Sequence, residues 1–280
     1  MDRSDNVMER MNISTALLLL TGTFPLVKAL RANWTTTLRQ PLLWALLAWV
    51  AWIGVAWSRV FRPEMEETLE AYGALCLTGC AGIAVLGARR PGAAAWNFVV
   101  VGLLAVLLLP ILNGLGELRL ETAQELFLAV MLVVPVLNYL PTRLAPSILL
   151  AAAGCAWEMI RLMGWAMSMP TVGLLFLAAA PWTAWATLAN RGQIGTEFDR
   201  LWLAYRDRFG FFWGQRMREQ FNRAAYHAGL PVELHWRGLH PIPDCPAPDS
   251  AALLTLLRAV LKRFGPEEDD TSPERREPII

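Results

Sequence analysis

The sequence predicts an all-α, multi-pass transmembrane helical bundle of six or seven spans with a small, mostly helical cytoplasmic tail. Three observations predict it. Hydrophobic residues make up 55% of the 280-residue chain and charged ones only 18%, against about 25% charge in a soluble domain. The charge is also uneven: residues 190–280 hold 13 Lys/Arg and 13 Asp/Glu, leaving 12 and 11 for everything before them. Finally, the apolar part divides into charge-free runs close to the ~20 residues that a helix needs to cross a bilayer. The net charge of +1 gives no reason to expect a nucleic-acid partner.

The N-terminal segment, 1–38, contains the charge-free run 11–27. Asp2, Asp5 and Glu9 outweigh Arg3 and Arg10 ahead of it, and no small-residue cleavage site follows. A signal peptide would carry a positive leader, so this run reads as a retained helix, either an extra span or an interfacial one. The bundle proper is 39–190. Its spans fall near 40–58, 71–88, 94–112, 125–141, 144–163 and 170–190, each bounded by the charges that interrupt it. An amphipathic tail (191–265) and a disordered C-terminus (266–280, "PEEDDTSPERREPII") complete the chain.

Orientation follows from the turns. Those at 89–94 and 141–144 carry Arg89, Arg90 and Arg143 and no acid. On the opposite side, 59–70 carries Glu64, Glu66, Glu67 and Glu70 beside Arg59 and Arg62, and 113–125 carries Glu117, Glu121 and Glu125 beside Arg119. The short loops alone therefore barely discriminate, and the flanking basic stretches break the tie. Lys28, Arg31 and Arg39 before the bundle and the Arg-rich 200–223 after it fall on the side of Arg89, Arg90 and Arg143. By the positive-inside rule that side is cytoplasmic, so the expected location is the cell membrane with the tail inside. Trp34, Trp57, Trp96, Trp165 and Trp182 lie near span ends, as an aromatic belt requires. Trp49 and Trp52 sit mid-span and read as helix-packing residues.

In the tail, Trp202, Tyr205, Phe209, Phe212, Trp213, Met217 and Phe221 recur at three- and four-residue steps, one face of a helix over 198–228. Arginines dominate the other positions, and Gly210 predicts a break. Two readings are open. The helix lies at the interface with its arginines on anionic headgroups, or it packs on the rest of the tail. The candidate membrane or partner contacts are Trp202, Arg206, Arg208, Phe212, Trp213 and Arg216. Residues 230–238 alternate as a strand without an identifiable partner. A Pro-rich linker (240–250) leads to a helix at 251–264, capped by Asp249 or Ser250.

Candidate chemistry is sparse. Glu158 and Arg161, three apart on one helix face, form an intramembrane or interfacial ion pair. Glu66, Glu70, Glu117, Glu121 and Glu125 form an acidic rim, read as solvated, with a cation-collecting mouth as the alternative. His227, His235 and His240 all lie in the tail, away from any span. His235 and His240 with Asp244 and Cys245 match no zinc spacing. Cys76, Cys80 and Cys155 lie in apolar runs and read as small packing residues. No catalytic, cofactor-binding or metal-binding residue is assigned.

The expected function is therefore non-enzymatic: a scaffold or accessory subunit whose tail contacts the membrane surface, a partner protein or a second copy. A small-solute or cation transporter or channel built on Glu158, Arg161 and the acidic rim is the alternative. A lipid-acting enzyme using Glu158, His227 and His235 ranks third.

Overall fold

Inside a bilayer every backbone N–H and C=O must be satisfied by the chain itself, which for runs rich in Leu, Ala and Val means a helix. A computed structural model describes residues 3–62, 68–89, 92–113, 120–164, 171–190, 196–243, 249–262 and 264. Seven of its helices are long and apolar enough to cross a membrane. These are α1 (Arg3–Ala32), α2 (Arg39–Phe61), α3 (Thr68–Ala84), α4 (Ala93–Asn113), α5 (Thr122–Tyr139), α6 (Ala145–Leu162) and α7 (Val172–Ala189). The protein is a multi-pass membrane protein. The N-terminal run belongs to the set: its apolar part, Arg10–Ala32, continues through Pro25 as one helix packed on α2 and α7.

Helix α3 sits at the centre, against α2, α4, α5 and α6. It is the small-residue helix of the bundle. Gly82 lies so close to α5 that a Cβ there would stand 2.6 Å from the Pro135 Cγ, the kind of backbone approach that joins helices where no hydrophobic drive operates. Cys76 and Cys80 are buried free thiols of this packing. Trp49 and Trp52 are buried too, and each indole finds an acceptor on a neighbouring helix, the Leu19 carbonyl at 3.2 Å and Thr78 Oγ1 at 2.9 Å.

Beyond α7 the chain folds into a compact tail: α8 (Glu197–His227), β1 (Val232–His235), β2 (Gly238–Pro241) and α9 (Ser250–Leu261). Thr196 caps α8 by accepting from Asp199 N at 3.1 Å, and Asp249 caps α9 by accepting from Ala251 N at 3.0 Å. The strand at 232–235 does have a partner, which corrects the sequence reading. It pairs antiparallel with β2, Val232 opposite Pro241 and His235 opposite Gly238. Gly238 and Pro241 both suppress the strand signal. They are tolerated here because each stands at an end of its strand. Asn222 of α8 then behaves as a third strand in miniature: its Oδ1 accepts from Leu234 N at 2.7 Å and its Nδ2 donates to Leu234 O at 3.2 Å. Trp202, Phe221, Leu234 and Leu257 form the tail's buried centre.

Candidate functional site

Two regions of the molecule concentrate polar side chains, one at each end of the bundle. Antiparallel spans carry the C-terminal ends of α2 and α6 and the N-terminal ends of α1 and α7 to the end remote from the tail. There Glu158, only 1% exposed, accepts from two guanidinium groups. Arg59 Nη2 lies 2.7 Å from Glu158 Oε2 and Nη1 3.4 Å from Oε1, a forked contact. Arg161 Nη1 reaches Oε2 at 3.0 Å from the half-exposed side. The third element is α7. Its first turn contains Gly173, where a Cβ would stand 2.6 Å from Glu158 Oε1, so the carboxylate rests against a helix N-terminus and its positive dipole end. Thr171 Oγ1, Trp157 Nε1 and Asn12 Oδ1 are buried at the same end of the bundle without hydrogen-bond partners among the described residues.

Glu158 lies thirteen residues beyond Ala145, about 20 Å along α6, and one turn short of the helix end at Leu162. The expected pairing with Arg161 is present. Sequence reasoning missed Arg59, although a usable signal existed: alternating span direction places the end of α2 beside the end of α6. Treating Arg59 only as a span boundary hid it.

The acidic rim is not a single cluster among the described residues. Glu66 and Glu117 lie outside those residues. Glu70 faces Arg62 at 3.8 Å, both well exposed. Glu121 stands at the N-cap of α5, where its backbone N–H donates to Gln124 Oε1 at 3.0 Å, and Glu125 occupies the first turn, favoured there by the helix dipole.

At the other end, α8 docks across the bundle. The break at Gly210 (φ 79°) is what permits it. Asn138 of α5, fully buried, fills the break: its Nδ2 donates to Phe209 O at 3.3 Å and its Oδ1 accepts from Phe212 N at 3.1 Å. A side chain at 210 would collide with Asn138. Tyr139 donates to Arg208 O at 2.9 Å, and Trp213 and Trp236 donate to the carbonyls of Val85 (3.1 Å) and Pro141 (2.8 Å). Leu38 and Ala88, from two inter-span turns, enter the tail's hydrophobic core.

This geometry separates the six tail candidates. Trp202 and Arg206 are interior: Trp202 is fully buried, and Arg206 is held by Asp207 Oδ1 at 2.7 Å and by the Trp236 carbonyl at 2.9 Å. Neither offers a surface to lipid or partner in this conformation. Trp213 is half-buried against the bundle, while Arg208, Phe212 and Arg216 are exposed. Tyr205, also internal, has a hydroxyl without a partner among the described residues, and burial pushes its phenol well above the ordinary range despite Arg89 nearby.

The histidines stay with the tail. His235 and His240 stack at 4.3 Å on the exposed face of the hairpin, a bundle length from Glu158, so Glu158, His227 and His235 do not converge on one site. Asp244 and Cys245 lie outside the described residues. No group of three or more metal-ligating side chains is found among the described residues. A crevice lined by Thr37, Ala84, Trp96 and Asn97 has room for about one water. No known protein family, curated protein or solved structure matches the chain.

Proposed function

We propose that the protein is a non-enzymatic membrane scaffold or accessory subunit. In this reading its tail lies at the cytoplasmic face, fixed to the bundle, and presents an aromatic and basic edge to a partner protein. The observation that carries the reading is the docking of α8. Four side chains, Asn138 and Tyr139 from the bundle and Trp213 and Trp236 from the tail, bond to backbone across the tail–bundle junction. A tail held in this way has one orientation relative to the membrane, which is what a platform requires. The cytoplasmic assignment is supported by Lys28, Arg31, Arg39, Arg89 and Arg143, which lie at the tail's end of the bundle. The edge left exposed comprises Phe211, Phe212, Arg216 and Arg223, a mixture of aromatic and Arg residues that interfaces favour.

The test is surface substitution, because removing the tail would uncover the bundle. Phe212→Ser with Arg216→Glu should leave expression and thermal stability unchanged and eliminate proteins that crosslink to the wild-type chain in native membranes. An identical crosslinked set from both chains would overturn the proposal.

A second reading, a transporter or channel, draws on the buried Glu158 with its two arginines, since an ionisable group inside a bundle marks a functional site by default. It requires Glu158→Gln to change solute flux in proteoliposomes by more than it changes the amount of folded protein.

A further inference from the structure

On the outer surface of the bundle, α1 and α7 run side by side in the same direction, and near their tail-side ends they build an aromatic nest around one cation. Phe24 stacks on Trp182 at 6.4 Å and meets Trp185 edge-on at 6.3 Å; Trp182 and Trp185 meet at 5.7 Å. The Lys28 ammonium stands 5.4 Å from the Trp185 ring and 6.0 Å from that of Phe24. Lys28 is four residues before the end of α1 and Trp185 four before the end of α7, about 6 Å in each case. That is the depth of the headgroup boundary.

This lysine has no counter-charge of its own. The sequence contains no Asp or Glu between Glu9 and Glu64, nor between Glu158 and Glu197. The first two acids of the tail are engaged elsewhere: Glu197 with Arg258 at 2.8 Å, and Asp199 with Thr196 at 2.7 Å. Among the described residues neither Lys28 nor Arg31, one turn further on, forms an ion pair. Two ring faces beside an ammonium attract it only weakly compared with a full counter-charge. An anion at the interface would supply one.

We propose that the α1–α7 seam is a binding site for an anionic phospholipid, whose phosphate sits on Lys28 with Arg31 beside it. The surface below the nest identifies the occupant as a lipid rather than a free anion. Leu17, Leu20 and Phe24 continue from Lys28 along one exposed stripe of α1 toward the bilayer interior, a track for acyl chains. The site is independent of the tail's exposed edge and of the scaffold reading.

The full-length protein in detergent micelles, titrated with phosphatidylglycerol or phosphatidylcholine, tests this by native mass spectrometry. Lys28 is exposed and its removal opens no cavity, so Lys28→Gln should fold as the wild type does. The variant should bind phosphatidylglycerol about fivefold more weakly, the effect of one interfacial cation. Phosphatidylcholine, whose choline offsets the phosphate charge, should be affected less, and Lys28→Arg should retain the preference. Equal phosphatidylglycerol affinity in wild type and Lys28→Gln would overturn the site. Displacement of the bound lipid by millimolar inorganic phosphate would overturn its assignment to a lipid.

Discussion

Replacing Glu158 with Gln removes one charge from a place where three positive features converge. Arg59 is only 5% exposed and stays protonated at any working pH. The variant therefore keeps a buried guanidinium whose principal counter-charge is gone. Breaking a buried ion pair in this way costs about 3–5 kcal/mol. We expect about 3, because the amide oxygen still accepts one of the hydrogen bonds. Arg161→Gln removes the half-exposed partner instead and should cost about 0.2–1 kcal/mol. The double variant Glu158→Gln/Arg59→Met removes both charges of the pair and should recover most of the loss. Tryptophan emission during heating of the detergent-solubilised protein at a fixed scan rate would measure this. At about 2–4 °C per kcal/mol, Glu158→Gln should melt about 10 °C below wild type and Arg161→Gln within about 3 °C of it. Equal shifts for Glu158→Gln and Arg161→Gln, or a double variant less stable than Glu158→Gln, would refute the view that Arg59–Glu158 dominates the cluster.

Other substitutions probe the tail. Asn138→Leu should leave Phe209 O and Phe212 N without their partner, costing about 1–3 kcal/mol; hydrogen exchange across 197–227 should rise while exchange in α3 stays slow. Tyr205→Phe deletes a buried hydroxyl that has no partner among the described residues and should be neutral or stabilising by about 1 kcal/mol in a thermal melt. The same tyrosine predicts a pH effect. The folded phenol holds its proton where the unfolded one, with a pKa of about 10, has lost it, so stability should fall as pH rises past that value, and Tyr205→Phe should flatten the slope. Asn222→Ala should free both backbone groups of Leu234 and expose the hairpin to protease, with a loss of about 1–2 kcal/mol.

The bundle was legible in the sequence because the bilayer allows a single answer to a long uncharged run, and charge positions located the spans to within a few residues. The N-terminal run stayed ambiguous because its flanking charges oppose a signal peptide without requiring a span; the structure makes it a continuous helix, long and apolar enough to cross a membrane and packed on α2 and α7. Periodicity located α8, and Gly210 correctly marked its break. Periodicity could not tell an apolar face turned to lipid from one turned to protein, since both bury the same side chains. Here Trp202, Phe209 and Phe221 face protein. The hairpin was half visible, because Gly238 and Pro241 hide β2 from any pattern of residue preference. At the other end, Glu158 and Arg161 are neighbours on one helix and could be paired by spacing. Arg59 joins them across 99 positions, a contact that only span parity could have anticipated.

The aromatic richness of α8 and the hairpin has a structural cause that bears on function. Backbone carbonyls in the turns that follow a span need donors, from water or from the protein itself. Here the indole N–H groups of Trp213 and Trp236 serve carbonyls at Val85 and Pro141, just past the ends of α3 and α5. Tryptophan suits the position because its ring is apolar enough for the boundary while its single N–H is obliged to find an acceptor. The tail is thus bonded to the chain just beyond two of the spans. A segment held in this way cannot swing free without breaking those bonds, and a partner of the kind we propose must meet it in the orientation the bundle fixes. In the scaffold reading we propose, the residues left to recognise such a partner are Phe211, Phe212, Arg216 and Arg223, and not the aromatic face as a whole.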